Sequence, residues 1–234
     1  MENWQWSKLM IKVKRTKIPK SLQVNEATWK SELLYQIKLK GEYSKVTSTY
    51  KERYKQDDIK EALEKMYSEK CCYCETIIGI ASYEHIEHLR PKGLKQFHHL
   101  SFDWDNLHWS CQICNNKKRD QWNEQAPILD PCTDDPEQHI DFDLSTCKAV
   151  EKDGSERGKT TISHVDLNRE KLVRARKRVK DRAMKYIVQI KKTESTLDDE
   201  FYKKELRNML KGDPNTGDIA EYSMLIKKMV ETYL

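Results

Sequence analysis

The sequence predicts an α+β protein: a small strand-and-helix core, clipped by a metal ion, inside a mostly α-helical chain. Three observations carry that prediction. Apolar residues recur at helical spacing near residues 57–67 and again beyond residue 162. Between these stretches lie short segments of strand-like composition broken by proline and glycine. Two Cys-x-x-Cys pairs, Cys71/Cys74 and Cys111/Cys114, bracket residues 75–110.

In chain order, residues 1–24 are basic, with "VKRTKIPKSL" extended around Pro19. A helix is expected from about Ala27 to Lys40, with Asn25 as its cap and Gly41 as its stop. A second should start near Asp57 or Asp58, where Ile59, Ala62, Leu63, Met66 and Tyr67 make one apolar face. It runs into "CCYCE". Residues 76–88 are strand-like, and a loop follows through "RPKGLKQFHH". "FDWDNLHWSCQICNNKKRDQW" reads as a short strand, a cysteine pair and a helix. From Pro127 to about Thr161 the chain is acidic and interrupted by Pro131, Pro136, Gly154 and Gly158, with short strands at "HIDFDL" and "CKAVEKD". Beyond Ile162 everything reads helical. Leu172, Val179, Ala183, Tyr186 and Ile190 form a stripe, 212–217 is a turn, and 219–233 a last amphipathic helix. This divides the chain into 1–56, 57–125, 126–161 and 162–234. No internal repeat or low-complexity tract is present.

The 234 residues are 37% hydrophobic and 35% charged, wet but compatible with a core. The net charge of +5 suggests an anionic partner without demanding one. No run of 18 apolar residues exists to span a membrane. "MENWQWSKLMIKVKRTK" has no apolar stretch followed by a cleavage site, so secretion is not expected. The seven cysteines are odd in number and five are tightly clustered, which favours metal ligation in a reducing cytoplasm over a disulfide framework.

Four thiolates from two Cys-x-x-Cys turns can close a tetrahedral zinc shell. Cys72 is spaced too tightly from Cys74 to join. A closed shell has no open position, so this zinc is structural. The alternatives are two unrelated pairs or a redox motif.

Between the clips stand Glu84, His85, Glu87, His88, Asn106 and His108, with Asn115 and Asn116 just beyond. "Glu87-His88-Leu89-Arg90-Pro91", then "Asn106-Leu107", then "Cys111-Gln-Ile-Cys114-Asn115-Asn116-Lys117-Lys118" resembles the HNH endonuclease signature. That family folds as two antiparallel strands and a helix around one divalent cation, the ββα-metal unit. Pro91 follows His88 by three residues, so Glu87-His88 is the pair that fits, and Glu84-His85 is not. The resemblance implies His88 as general base, Glu87 and Asn115 as metal ligands, and Asn106 as the residue that holds the loop by bonding backbone. Glutamate stands at 87 where aspartate is commoner, and asparagine at 115 where histidine is usual.

The chemistry is coherent. A divalent cation on carboxylate and amide oxygens neutralises charge developing on a phosphodiester, and a neutral imidazole takes a proton from water. An oxygen-rich shell favours magnesium or manganese. Arg90, Lys92, Lys117 and Lys118 are expected to bind flanking phosphates. His85 is given a supporting role, and His108 is a distant candidate for the metal. Taken alone, without the flanking pattern, His88 reads better as a buried structural histidine.

The likeness extends further. "CCYCE", "IEHLRPKG", "FDWDNLHWSCQICNNKK", "PILDPCTDDPEQHIDF" and "VDLNREKLVRARK", with "MIKVKRTKIPKSL" upstream, are similar to the nuclease subunit of Septu anti-phage systems and its retron-associated relatives. This implies an effector nuclease partnered by an ABC-type ATPase. The chain has no GxxxxGK[ST] loop of its own. A free-standing restriction-like nuclease and a non-catalytic zinc module are the competing readings. The first is weakened because no separate base-reading domain is visible. DNA stands ahead of RNA as substrate, although no residue separates them. Finally, 171–192 carries ten basic residues against one acid, Asp181. It is expected to dock the ATPase, to guide nucleic acid towards His88, or to be neutralised by Asp130, Asp134, Asp135, Glu137, Asp141 and Asp143, with docking favoured.

Overall fold

In the computed structural model of the chain, residues 13–79 and 83–234 are described. Half of the basic N-terminal segment, residues 1–12, and residues 80–82 of the strand-like stretch lie outside them. The first helix, α1 (Lys20–Lys40), begins directly after Pro19, seven residues before the expected start, and stops at Gly41 with φ 81°. Asn25 is not its cap. It lies inside the helix and donates from its amide to the Ser21 carbonyl at 2.9 Å. The cap comes from elsewhere in the chain: Asp58 Oδ2 accepts from the Ser21 N–H at 2.9 Å. Asp58 itself opens α3 (Asp57–Met66), which follows the short α2 (Ser48–Lys51). Ile59 and Leu63 of α3 and Tyr67 just past it are buried on the expected face.

Strand β1 (Glu84–His88) pairs antiparallel with β2 (Leu107–Cys111), in a register that sets Glu84 against Cys111 and His88 against Leu107. The connection, 89–106, is a long loop with 3-10 turns at Lys95–Leu100 and Trp104–Asn106. Helix α4 (Gln112–Lys118) follows β2 without a gap. A second hairpin, β3 (Ile140–Asp143) and β4 (Lys148–Glu151), stands where two short strands were expected.

Helix α5 (Glu156–His164) starts earlier than the residue-162 boundary and crosses it. Gly158, taken from sequence as a breaker, lies inside it. A Cβ there would come within 2.0 Å of the His139 carbonyl oxygen, so glycine lets the helix approach the backbone before β3. The remaining helices are α6 (Glu170–Lys192), α7 (Thr196–Lys211) and α8 (Ser223–Tyr233). Gly212 and the Asp213–Asp218 bridge make the turn between the last two.

One core runs from Leu22 and Leu33 of α1 through Leu63, Leu107 and Trp109 to Leu172 and Leu225. A second joins α6, α7 and α8 through Ala183, Ile187, Leu206, Met209, Ile226 and Met229. Among the described residues no helix is long and apolar enough to cross a membrane.

Candidate metal centre and catalytic site

The two Cys-x-x-Cys pairs meet. Cys71 and Cys74 lie in the turn after α3, Cys111 ends β2, and Cys114 sits in the first turn of α4. All four are buried, and their sulfurs lie within 4.8 Å of one another. The Cys71–Cys74 turn is strapped to β2 by the Cys72 N–H, which donates to the Trp109 carbonyl at 2.9 Å. Cys72 takes no part in the sulfur cluster. Four convergent thiolates form a donor set that fits tetrahedral zinc. Such a centre carries net negative charge, and Arg169 answers it with Nη1 3.5 Å from Cys114 Sγ.

At the other end of the β1–β2 pair from Cys111 lies His88, buried and oriented by backbone. Its Nε2 is 3.0 Å from the Ser101 carbonyl oxygen. A carbonyl only accepts, so Nε2 carries the proton and Nδ1 keeps the lone pair. Nδ1 faces the Lys92 ammonium at 3.3 Å. Lys92 also donates to Tyr54 Oη at 2.8 Å, and the Tyr54 ring stands edge-on to the imidazole at 4.6 Å. Burial, reinforced by the charge of Lys92, holds the His88 pKa well below its usual range. The imidazole is therefore neutral near pH 7. Burial also lowers Lys92, to about 8.

The loop that supplies Ser101 is closed by Asn106. Its Oδ1 accepts from the Arg90 N–H at 2.8 Å, and its Nδ2 donates to the carbonyls of Arg90 at 3.1 Å and Leu100 at 3.2 Å. One side chain thus ties both ends of the 89–106 connection.

Glu87 and Lys118 form a buried ion pair at 2.6 Å. The same ammonium donates to the His88 carbonyl at 2.8 Å. Burial pushes the Glu87 carboxyl up, against the pull of Lys118. His85 alternates with Glu87 and shares its face of β1. Asn115, on α4, donates from Nδ2 to His85 Nδ1 at 3.1 Å. The structure therefore brings Asn115 to His85, while the Glu87 carboxylate is engaged with Lys118.

The four expected phosphate-binding cations have different surroundings. Arg90 is exposed, with its guanidinium 5.9 Å above the Trp122 ring. Lys117 is exposed but paired with Asp166 at 3.1 Å. Lys92 sits against His88. Lys118 is fully buried, and its ammonium is taken up by Glu87 and the His88 carbonyl. His108 is buried too, with Nδ1 2.5 Å from Tyr67 Oη and Nε2 3.0 Å from Arg15 Nη2. Both ring nitrogens are occupied, although Asp130 and Cys132 lie close by.

No family model matches the chain. It is 34% identical over 198 residues to a Septu protein PtuB of Bacillus mycoides (strain KBAB4), an alignment spanning 73% of this chain and 67% of that protein. The chain belongs to the Septu PtuB family. Another Septu protein PtuB, from Bacillus thuringiensis, is 36% identical over 111 residues, 47% of this chain and 41% of that one.

For this Septu PtuB family chain, several groups around His88, Glu87 and the cysteine cluster have no signal in sequence. Tyr54 and the Ser101 carbonyl frame His88. Tyr73 Oη lies 3.5 Å from Glu87, and Arg169 reaches the cysteine cluster across the fold. None shares a motif with the residue it touches, so only the meeting of distant segments reveals them.

Proposed function

We propose that the chain is a metal-dependent endonuclease of the HNH type, the effector of a two-component anti-phage defence complex with an ABC-type ATPase in the cytoplasm. The observation that carries this reading is the state of His88. It is a neutral imidazole whose Nε2 proton is fixed by the Ser101 carbonyl, so Nδ1 keeps its lone pair, which faces the Lys92 ammonium at 3.3 Å. Such a nitrogen can accept a proton from a water attacking a phosphodiester.

The oxygen donors of Glu87 and Asn115 are of the type that suits a divalent cation. Asn115 gives its Nδ2 to His85, which turns its Oδ1 away and leaves that oxygen available as a ligand. Glu87 supplies a carboxylate from the same face of β1 as His85, with Lys118 holding it in place. Glu87 and Asn115 are the proposed ligands of magnesium or manganese, and His85 orients Asn115. Bound there, the cation would neutralise charge developing on the phosphate and the leaving oxygen. Lys92 keeps His88 deprotonated and stands ready for a phosphate oxygen. Arg90 offers a guanidinium at the surface beside it. The cysteine cluster takes no part in the chemistry.

The test is a cleavage assay on DNA and RNA with manganese or magnesium, alone and with the ATPase. His88→Ala should lower the rate by about two to four orders of magnitude, as removal of a general base does, while circular dichroism stays unchanged. A folded His88→Ala protein that cuts as fast as the parent would overturn the assignment. Loss on His85→Ala alone would point to the other histidine.

A further inference from the structure

We propose that the outer face of α6 is a rail for the phosphate backbone of a nucleic acid. Lys171, Arg174, Arg178, Arg182, Lys185 and Lys192 recur at steps of three or four along the helix, with only Gln189 breaking the last long step. That spacing lines them up on one side. All six are exposed, whereas Leu172, Val173, Arg176, Ala183 and Ile187 are buried on the opposite side. From Lys171 to Lys192 the helix rises roughly 30 Å, close to one turn of a duplex.

The acidic stretch expected as the alternative partner of this charge is engaged elsewhere. Asp134 holds Arg157, with one contact at 2.8 Å. Glu137 holds Lys227 at 2.6 Å and Asp141 holds Lys228 at 2.7 Å. Asp143 bonds Ser145 and Thr146, and Asp135 caps the turn at Glu137. Asp130 accepts from the Cys132 N–H. On the stripe, Arg174 pairs with Glu170 at 3.2 Å. Among the described residues Lys171, Arg178, Arg182, Lys185 and Lys192 make no ion pair. Like charges at this spacing weaken a helix by a few tenths of a kcal/mol per pair, so the stripe persists against its own repulsion.

The composition favours phosphate over protein. Protein interfaces centre on apolar and aromatic side chains and are poor in lysine. The stripe has neither an aromatic nor a large apolar residue, and its lysines and arginines are the usual partners of phosphate oxygens. Its start is tied to the strand–strand–helix unit, since Arg169 reaches Cys114 and Asp166 holds Lys117 on α4. The purpose of the rail rests on the nuclease reading. The binding it predicts does not.

The test measures fluorescence anisotropy of a labelled 20-base-pair DNA duplex and of the matching single strand with the full chain. Salt is varied from ~50 to ~200 mM without added divalent metal. The variant Arg178→Glu/Arg182→Glu/Lys185→Glu is compared with Lys40→Glu/Lys65→Glu/Lys148→Glu, which changes net charge equally at exposed lysines off the stripe. The stripe variant should bind at least tenfold more weakly at low salt. The slope of log K against log salt should become shallower by up to about 2.7 for duplex DNA, three lost phosphate contacts at ~0.9 each. The control should bind like the parent. If the glutamate variant does not fold, the same three positions are changed to glutamine. Unchanged binding overturns the rail, as does equal loss in the control. Unchanged binding with loss of ATPase copurification gives the face to a protein partner instead. A parent that binds through the stripe yet cuts nothing with metal and ATPase refutes the nuclease reading and leaves the rail intact.

Discussion

At the scale of single residues, Glu87 and Lys118 show how burial changes the meaning of a charge. Each would be unremarkable on a surface, where an ion pair contributes about 0–1 kcal/mol. Here both are shielded from water, and each is the chief compensation for the other. Removing one partner leaves the other charged in a low-dielectric site. Lys118→Met should therefore destabilise the protein by roughly 3–5 kcal/mol. Glu87→Gln/Lys118→Met, which removes both charges, should recover most of that loss. Urea denaturation of the two single variants and the double variant measures the coupling. Additive losses would mean that the pair does not act as a unit. The same burial keeps Lys118 away from any phosphate at the surface.

At the scale of elements, α1 is capped across the fold. Its first N–H groups follow a proline and have no local side-chain acceptor, and Asp58 from α3 reaches Ser21. Asp58→Ala should cost about 1–2 kcal/mol, as loss of an N-terminal cap does. Asn25→Ala should be within about 0.5 kcal/mol of the parent, because its amide only bonds back to the Ser21 carbonyl. Thermal melts rank the two, and a larger loss at Asn25 would contradict this account of the helix start. The last helix is treated similarly. Its N-terminus has no side-chain cap of its own, and the hydroxyl of Tyr222, the residue before it, lies 3.2 Å from Thr76 Oγ1 just past the Cys71–Cys74 turn.

At the scale of the whole molecule, the cysteine cluster is a joint. It fastens the turn after α3 to the end of β2 and the start of α4. Arg169 extends its reach to α6, and Thr76, just past the same turn, meets Tyr222 at the start of α8. Losing the ion should therefore loosen more than the strand pair. Elemental analysis should find about one zinc per chain after dialysis, as a closed thiolate shell retains its metal. Cys114→Ser should collapse the cooperative melt, while Cys132→Ser should leave it nearly unchanged. A zinc-free protein with the parent's melting profile would remove the cluster from the account of stability.

Sequence by itself determined the local features. The ligand spacing in Cys71-x-x-Cys74 and Cys111-x-x-Cys114 announced that four sulfurs would meet, because few folds use two such turns otherwise. The α+β class, the face of α3, the two short strands that became β3 and β4 and the apolar stripe of α6 followed from local patterning, which depends only on neighbours along the chain. Tertiary structure decided everything that depends on partners. The start of α1 moved because its cap is Asp58. The boundary at residue 161 fell inside α5 because Gly158 packs on His139. Asp134, Glu137 and Asp141 chose Arg157, Lys227 and Lys228, leaving α6 charged. Around His88, the tautomer was decided by the Ser101 carbonyl and the neutral state by burial and Lys92. Burial and electrostatic pairing depend on where the chain returns in space, and a linear pattern does not carry that information.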